Sequence, residues 1–284
     1  MAIYTKLSIR ATDEQGEILS AYLADFPFES FDYEDGMLNA YIPQSQLEGC
    51  RDDVEELLCS EGILDFFFED IESQNWNAVW ESNFEEVEVR NEVLIRAPFH
   101  KARPDYKGLE IVIQPKMSFG TGHHATTQLM VEMLLDTDVE GVRLLDMGSG
   151  TGVLAIVAAK LGARSVLAVE IDDMAEESVR ENIVLNGVED RVVSVCGDAS
   201  AIEGESFDIV LANINRNILL ADMKAYVATL RSGGALVISG FFAEDVEPLT
   251  KAAERLGLQF SRKLSCGEWR AVKFEKNRIK TQIV

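Results

Sequence analysis

The sequence predicts an α/β protein of two domains, and three observations support this prediction. Beyond residue 140, apolar strand-like runs alternate with helical segments, as a parallel sheet requires. Before residue 72 the order is instead strand, helix, two strands, helix and strand. The length of 284 residues also favours two domains over one large domain. We therefore predict a Rossmann-like α/β domain with seven strands, preceded by a small ferredoxin-like α+β domain.

Residues 1–72 form the predicted small domain. The run from Ile3 to Ile9 alternates apolar and polar residues, as a half-buried strand does. Thr12, followed by Gln15, is a capping-box start for the first helix, and Asp35-Gly36 is a hairpin signal between two strands. The resulting β-α-β-β-α-β order is the ferredoxin-like pattern. Because no polar residues converge there with catalytic spacing, we expect a substrate-recognition domain.

A polar segment over residues 73–84 separates this domain from the rest of the chain. Trp76 and Trp80 lie four residues apart, on one face of a short linker helix. We expect these aromatic side chains to pack on a neighbouring domain rather than to contact the substrate. Residues 85–284 then form the second domain.

The second domain is organised around a glycine-rich turn. The run from Val142 to Leu145 is typical of a buried strand, and Gly148, Gly150 and Gly152 follow it and open a helix. Such a turn lets the backbone approach a ligand closely. The glycines do not fit the dinucleotide fingerprint, whose last glycine would fall on Val153. The pattern is instead Asp-x-Gly-x-Gly-x-Gly.

The next apolar strand, from Ser165 to Glu170, ends in a carboxylate 22 residues after Gly148. An acid about 20 residues beyond such a turn is placed to grip the hydroxyl groups of a nucleoside ribose. The turn and the acid together resemble the S-adenosylmethionine site of Rossmann-like methyltransferases.

Two more polar residues follow predicted strands at the same edge of the sheet. Asp198 comes just after the third strand, and Asn213 ends the fourth. Ligands bind at the carboxyl ends of the strands in an open α/β sheet. We therefore expect both side chains to lie near the glycine turn and Glu170.

Turn and cap residues predict the remaining elements. Asp173 is expected to cap a helix, and Gly233-Gly234 to form the turn before the fifth strand. The run from Val87 to Ala97 predicts one strand. Leu258 to Leu264 and Glu268 to Phe274 predict a final antiparallel pair.

Residues 114–127 precede the first core strand and are predicted to fold over the ligand as a lid. Gly120 and Gly122 allow a tight backbone path there. His123 and His124 are adjacent in this segment, so their side chains point apart, and no Cys or further His is placed to complete a metal site. We therefore predict no metal.

Composition and charge narrow the classes of partner. The net charge of −23 opposes direct nucleic-acid binding and favours a basic partner. No apolar run approaches the ~18 residues of a membrane span, and the N-terminus lacks a signal pattern, so we expect a cytoplasmic protein. The cysteines show neither metal spacing nor a disulfide framework, so we expect reduced thiols. We also expect a monomer.

Three segments together closely resemble the PrmA family of bacterial ribosomal protein methyltransferases. They are Phe119 to Thr127, the Asp-x-Gly-x-Gly-x-Gly turn and Asn213-Ile214. The family modifies protein eleven of the large ribosomal subunit, and the likeness runs from the tryptophan linker to the strand at Glu268-Trp269. It implies methyl transfer from S-adenosylmethionine to lysine side-chain and/or N-terminal amines of that protein.

The same resemblance implies a set of site residues. Thr127, Gly148, Glu170 and Asn213 would contact the cofactor, and Asn213 is also the candidate catalytic residue, because its carbonyl oxygen could accept a hydrogen bond from the acceptor amine. The neighbouring residues that complete the predicted cofactor site are Gly150, Asp198, Phe119, Gly120 and Thr121.

Two other functions are weighed against this one. A nucleic-acid amino-methyltransferase is the first, because residues 213–216 occupy the place of an Asn-Pro-Pro-Tyr motif; they lack its prolines and the aromatic residue that stacks a flipped base. A non-enzymatic S-adenosylmethionine-binding module is the second. Methyl transfer to a ribosomal protein would exclude it.

Overall fold

The computed structural model describes residues 4–34, 36–71, 84–116 and 120–278. The chain divides into two compact units, Met1–Phe84 and Glu85–Val284. Most of the predicted linker helix, with Trp76 and Trp80, lies outside the described residues, so its helical state stays a prediction.

The small unit is a four-stranded antiparallel sheet with helices. Its elements are β1 (Tyr4–Arg10), α1 (Asp13–Leu23), β2 (Ser30–Glu34), β3 (Met37–Pro43), α2 (Gln44–Leu47), α3 (Arg51–Ser60) and β4 (Phe66–Ile71). The strand order β2-β3-β1-β4 is that of the ferredoxin-like pattern. Two helices, α2 and α3, stand where the sequence predicted one.

The predicted capping box begins α1. Gln15 donates its backbone N–H to Thr12 Oγ1 at 3.4 Å, and the Thr12 N–H donates to Gln15 Oε1 at 3.0 Å. This reciprocal pair satisfies two backbone donors at the helix start. Leu19 and Leu23 of α1 are buried in the core of this unit, together with Leu7 and Ile9 of β1.

A three-stranded sheet opens the large unit, made of β5 (Val87–Val89), β6 (Val93–Arg96) and β7 (Leu109–Val112). The single strand predicted from Val87 to Ala97 is therefore wrong. The chain turns at Arg90 and Asn91, whose φ angles are 55° and 54°. This turn contains no glycine or proline, the residues that most often reveal a turn in a sequence.

The main sheet of the large unit has seven strands in the order β10-β9-β8-β11-β12-β14-β13. All are parallel except β14, which runs antiparallel to both neighbours, so the predicted Rossmann-like domain is confirmed. Its elements are α4 (Ala125–Leu135), β8 (Arg143–Met147), α5 (Val153–Lys160), β9 (Ser165–Glu170), α6 (Asp173–Asn186), β10 (Val192–Cys196), β11 (Phe207–Asn213), α7 (Arg216–Thr229), β12 (Leu230–Phe242), α8 (Val246–Arg255), β13 (Leu258–Cys266) and β14 (Trp269–Lys276), with 3-10 turns at Ala199–Ile202 and Ala243–Asp245.

Two local predictions in this unit are wrong. Gly233-Gly234 lies inside β12, where the pairing with β11 is irregular, instead of forming a turn before it. A side chain at Gly234 would lie 2.7 Å from the Asp208 carbonyl oxygen, so close strand packing explains this glycine. The cap of α6 is Asp172, which accepts from Ala175 N–H at 2.8 Å, not Asp173.

No helix of the described residues is long and apolar enough to cross a membrane. The four cysteines, Cys50, Cys59, Cys196 and Cys266, are free thiols in the structure.

Candidate functional site

A cavity of about 420 Å³ lies at the carboxyl ends of strands β8 to β11. The strand order reverses between β8 and β11, which is the point where open α/β sheets bind ligands. The structure brings five of the predicted residues together in its wall: Gly148, Gly150, Glu170, Asp198 and Asn213.

The glycine turn has the backbone conformation that its sequence predicts. Gly148, Gly150 and Gly152 have φ angles of 70°, 58° and 80°, which favour glycine over residues with a Cβ atom. A Cβ atom at Gly148 would lie 2.4 Å from Cγ2 of Ile214, another residue of the cavity wall. The turn therefore leaves space that any side chain at Gly148 would occupy.

Glu170 is fixed at the end of β9 by backbone N–H groups. Its Oε2 accepts from Gly150 at 2.8 Å, and its Oε1 accepts from Ile171 at 2.9 Å and from Asp172 at 3.3 Å. Each carboxylate oxygen has two lone pairs, so Oε2 retains one for a ligand. The carboxylate is thus oriented before any ligand arrives.

Asp146 is the acidic residue of the Asp-x-Gly-x-Gly-x-Gly pattern and lies beneath the turn. It is 1% exposed; its Oδ2 accepts from Ala155 N–H at 3.0 Å, while its Oδ1 has no hydrogen-bond partner. Burial raises the pKa of Asp146 to about 7. The hydrogen bond from Ala155 opposes this rise, and the negative charge of Glu170 adds to it.

Asp198 sits at the β10 end of the cavity, where it caps the 3-10 turn that begins at Ala199. Its Oδ1 accepts from the Ser200 hydroxyl at 2.7 Å and from the Ser200 N–H at 2.8 Å. These hydrogen bonds lower the pKa of Asp198. Ile171, an exposed apolar residue, lines the wall between Glu170 and Asp198.

Several side-chain oxygens around the cavity are buried without a partner. Among the described residues these include Oδ1 of Asn213, Oγ of Ser149 and Oγ1 of Thr127. Thr127 is fully buried on α4 and does not line the cavity itself; its neighbour Thr126 does. Unsatisfied buried acceptors cost free energy unless a ligand or water supplies donors.

The predicted lid segment contacts the glycine turn. Thr151 donates its hydroxyl to the Gly120 carbonyl oxygen at 2.6 Å. The Thr121 hydroxyl lies 3.1 Å from His123 Nδ1. Neither Gly120 nor Thr121 lines the cavity, and Phe119 lies outside the described residues, so their contacts with a cofactor stay predictions.

The opposite end of the cavity is aromatic. The rings of His124 and Trp269 pack edge to face, with centroids 4.6 Å apart, and both line the wall. Trp269 also packs on Phe242 at 4.3 Å. Sequence analysis placed Trp269 only in a strand; the antiparallel pairing of β14 with β12 carries it to the site.

Sequence analysis also missed the contribution of α7. Ile218, Asp222 and Tyr226 lie four residues apart on this helix and line the cavity. Their helical spacing was the available signal, but it does not tell which side of the helix faces a ligand. No group of three metal-ligating side chains occurs among the residues that the structure describes.

The chain is similar to known proteins of one family. The family model described as ribosomal protein L11 methyltransferase (PrmA) matches residues 4–277. Curated proteins of that name are 47% identical over 264 residues in Porphyromonas gingivalis, covering 91% of this chain and 90% of the relative, and 42% identical over 267 residues in Bacteroides fragilis, covering 93% and 95%.

A solved structure supports the same assignment. The crystal structure of ribosomal protein L11 methylase from Lactobacillus delbrueckii subsp. bulgaricus matches with a TM-score of 0.64 at 28% identity, and the match covers 69% of this chain and 100% of that one. The resemblance seen in the sequence is confirmed, and the chain belongs to the ribosomal protein L11 methyltransferase (PrmA) family.

Proposed function

We propose that this chain transfers methyl groups from S-adenosylmethionine to lysine side-chain and/or N-terminal amines of ribosomal protein L11. The family match over residues 4–277 is the observation that carries the proposal. The cavity at the carboxyl edge of the sheet supports it, because the predicted cofactor residues from four strands meet there.

The residues of the cavity suit the parts of this cofactor. The glycine turn at Gly148 and Gly150 gives close backbone approach, and Oε2 of Glu170 can accept a hydrogen bond from a ribose hydroxyl. Ile171 and Asp198 offer an apolar surface and an acceptor for the adenine base. The orphaned oxygen of Asn213 can accept from an amino group, either of the cofactor or of the acceptor.

The bound cofactor supplies an electrophilic methyl group, and the chain must align a neutral amine with it. A lysine amine has a pKa of about 10.4 and an α-amine about 7.7–8.0, so the acceptor must first lose a proton. In this proposal, Asn213 at the end of β11 orients that amine. Trp269 lines the same cavity and offers apolar surface on which the methylene stem of the amine can pack.

A protein substrate fits this surface better than a nucleic acid does. The net charge of −23 repels phosphates but favours encounter with a basic ribosomal protein. Asn213 is followed by Ile214 and Asn215, and Asn215 caps α7 through hydrogen bonds to Asn217 and Ile218 N–H groups. We further propose that the protein acts as a cytoplasmic monomer.

The experiment that tests the proposed function is methylation of purified ribosomal protein L11. We expect intact-mass analysis after incubation with the chain and S-adenosylmethionine to show added methyl groups, and peptide mapping to place them on lysine or N-terminal nitrogen. The Glu170→Ala variant should transfer little, whereas Asp190→Asn, at an exposed position, should match the wild type. Absence of any mass gain on L11 would contradict the proposal.

We also propose that residues 1–72 recognise L11, residues 73–84 link the domains and residues 85–284 carry out transfer. Among the residues that the structure describes, the members of the buried cluster of the small unit belong to that unit, and those that line the cavity belong to the large unit. A chain that starts at Ser73 should keep its cofactor affinity but lose methylation of L11. If the shortened chain methylates L11 as fast as the whole chain, residues 1–72 do not recognise the substrate.

A further inference from the structure

One buried amide connects two separate segments of the large unit. Asn182 on α6 is fully buried. Its Oδ1 accepts from the Gln114 N–H at 2.8 Å, and its Nδ2 donates to the Thr151 carbonyl oxygen at 2.9 Å. Gln114 begins the predicted lid segment, and Thr151 belongs to the glycine turn. Because an amide side chain carries both an acceptor and a donor, Asn182 satisfies a backbone group of each segment at once.

Thr151 is the residue at which these contacts meet. It is also fully buried, and its hydroxyl donates to the Gly120 carbonyl oxygen of the predicted lid segment at 2.6 Å. The approach is close, since a Cβ atom at Gly120 would lie 2.7 Å from Thr151 Oγ1. The predicted lid segment is therefore joined to Thr151 at two points, directly at Gly120 and through Asn182 at Gln114.

Neither Asn182 nor Thr151 lines the cavity, but each holds backbone next to residues that do. Gly150 precedes Thr151, lies in the cavity wall and donates its N–H to Glu170 Oε2 at 2.8 Å. The predicted lid segment continues into α4, and His124, which caps that helix, lines the wall as well. Asn182 thus fixes two parts of the wall relative to each other without lining the cavity itself.

A second asparagine of α6 provides a matched comparison. Asn186, one helical turn after Asn182, accepts from the Val112 N–H at 2.9 Å and donates to the Val112 carbonyl oxygen at 2.6 Å. It also donates to the Asn182 carbonyl oxygen within the helix at 2.8 Å. Asn186 therefore satisfies the same two kinds of backbone group outside the helix, but both lie on β7 and neither belongs to the glycine turn.

We propose that Asn182 is a positioning residue for the cofactor site and that it acts through Thr151. This inference rests on the proposed cofactor, S-adenosylmethionine. One planar amide holds both the Gln114 N–H and the Thr151 carbonyl oxygen, so the Gly150 backbone is ordered before a ligand arrives. Binding then does not have to supply the free energy of ordering the turn. The Thr151 hydroxyl extends the same restraint to Gly120.

Calorimetry with S-adenosylhomocysteine on the whole chain tests this role. Asn182→Leu keeps the branched shape of the side chain and removes both hydrogen bonds, so we expect it to weaken binding by about tenfold or more. Asn186→Leu removes the matched hydrogen bonds to β7 and should weaken binding by less than about threefold. Thermal unfolding of the two variants should show similar losses of Tm, because each leaves a backbone donor and a backbone acceptor without a partner.

Two substitutions at Thr151 give an independent measurement. Thr151→Val removes the hydroxyl donor to Gly120 and should weaken S-adenosylhomocysteine binding by about fivefold. Thr151→Ser keeps this donor and should bind about as tightly as the wild type. In the double variant of Asn182→Leu and Thr151→Val, the two losses should combine to less than their product, because both act on the same turn. The two Thr151 variants decide the question if Asn182→Leu does not fold.

The possible results separate this inference from the function on which it rests. If the wild-type protein binds S-adenosylhomocysteine and Asn182→Leu loses no more affinity than Asn186→Leu, Asn182 has only a structural role and the inference is wrong. The same holds if Thr151→Ser loses as much affinity as Thr151→Val, since the hydroxyl then has no effect. If the wild-type protein does not bind S-adenosylhomocysteine, the proposed cofactor itself is wrong.

Discussion

The amino and carboxyl edges of the seven-stranded sheet, where the strands begin and end, differ in how fully their carboxylates are hydrogen-bonded. At the amino edge, Asp208 of β11 accepts from the Arg143 N–H at 2.8 Å and from the Arg231 guanidinium at 2.7 and 2.8 Å. At the carboxyl edge, Asp146 of β8 receives one hydrogen bond, from Ala155, and keeps an oxygen without a partner.

The titration of the two groups reflects this difference. Burial alone would raise the pKa of Asp208, but the hydrogen bonds from Arg143 and Arg231 outweigh it and lower the pKa. Burial dominates at Asp146 and raises its pKa to about 7. Both oxygens of Asp208 thus accept hydrogen bonds at the amino edge, whereas Asp146 keeps one oxygen without a partner at the carboxyl edge, beneath the glycine turn of the candidate site.

The largest expected effect is a loss of cofactor affinity, caused by filling the cavity beside the glycine turn. Gly148→Val should lower the affinity for S-adenosylmethionine by at least 10³-fold, because the new side chain meets Ile214 and occupies the cavity. Gly257→Val is the matched control, since Gly257 also has a positive φ but no atoms within 4 Å of the position that a Cβ would take. Calorimetry on the two folded variants measures the affinity of each for S-adenosylmethionine. An equal loss of affinity in both would show that backbone strain, and not the filled space, causes the loss.

The second prediction concerns the unsatisfied carboxylate itself. A raised folded-state pKa means that Asp146 stabilises the fold most below its unfolded pKa of about 3.9 and that this contribution is lost as the pH rises to about 7. Asp146→Asn has no such loss. Relative to the wild type, its free energy of unfolding should improve by about 3 kcal/mol between pH 4 and pH 7.

Denaturant unfolding at a series of pH values between 4 and 8 measures this difference. Asp190→Asn, which removes an exposed carboxylate, should run parallel to the wild type over the same range. If the free energies of unfolding of Asp146→Asn and the wild type differ by the same amount at every pH, Asp146 is ionised throughout this range. The unpartnered oxygen of Asp146 would then not raise its pKa, and the contrast with Asp208 would fail.

A smaller loss of cofactor affinity is expected at Glu170, the residue predicted to bind the ribose. Glu170→Ala should weaken cofactor binding by about 10- to 150-fold, because a hydrogen bond to a charged group contributes roughly 1.5–3 kcal/mol. Glu177→Ala, on the exposed side of α6, is the control. Normal cofactor affinity together with lost methyl transfer would place Glu170 away from the ribose.

Sequence analysis predicted those parts of the site that depend on backbone conformation and strand ends. Gly148 and Gly150 need a positive φ, and Glu170, Asp198 and Asn213 follow strands whose periodicity is clear, so their meeting at one edge follows from a parallel sheet. The sequence patterns also predicted the capping box and the antiparallel final pair.

Residues brought in by long-range packing could not be predicted in this way. Trp269 reaches the cavity through the pairing of β14 with β12, and Asp222 through the packing of α7 on a 3-10 turn. The strand pattern around Trp269 and the helical spacing of Asp222 and Tyr226 do not tell which neighbour each side chain meets. The turn at Arg90 and Asn91 was missed although asparagine tolerates a positive φ, because no glycine or proline accompanies Asn91 there.

The smallest expected effect is on stability and comes from Asp208 at the amino edge of the sheet. Its pH dependence has the opposite sign to that of Asp146. A lowered pKa means that the Asp208 carboxylate stabilises the fold above its unfolded pKa of about 3.9, and that this contribution is lost as the pH falls through the folded value. Asp208→Asn keeps an oxygen for the Arg143 N–H but loses its charge beside Arg231. Because both partners of that ion pair are partly exposed, with side chains 40% and 31% accessible, we expect a loss of only about 1–2 kcal/mol at pH 7. Denaturant unfolding should show this loss shrinking below pH 4 and in high salt. If the Asp208→Asn difference instead grows as the pH falls, the two edges of the sheet do not differ in the way their hydrogen bonds imply.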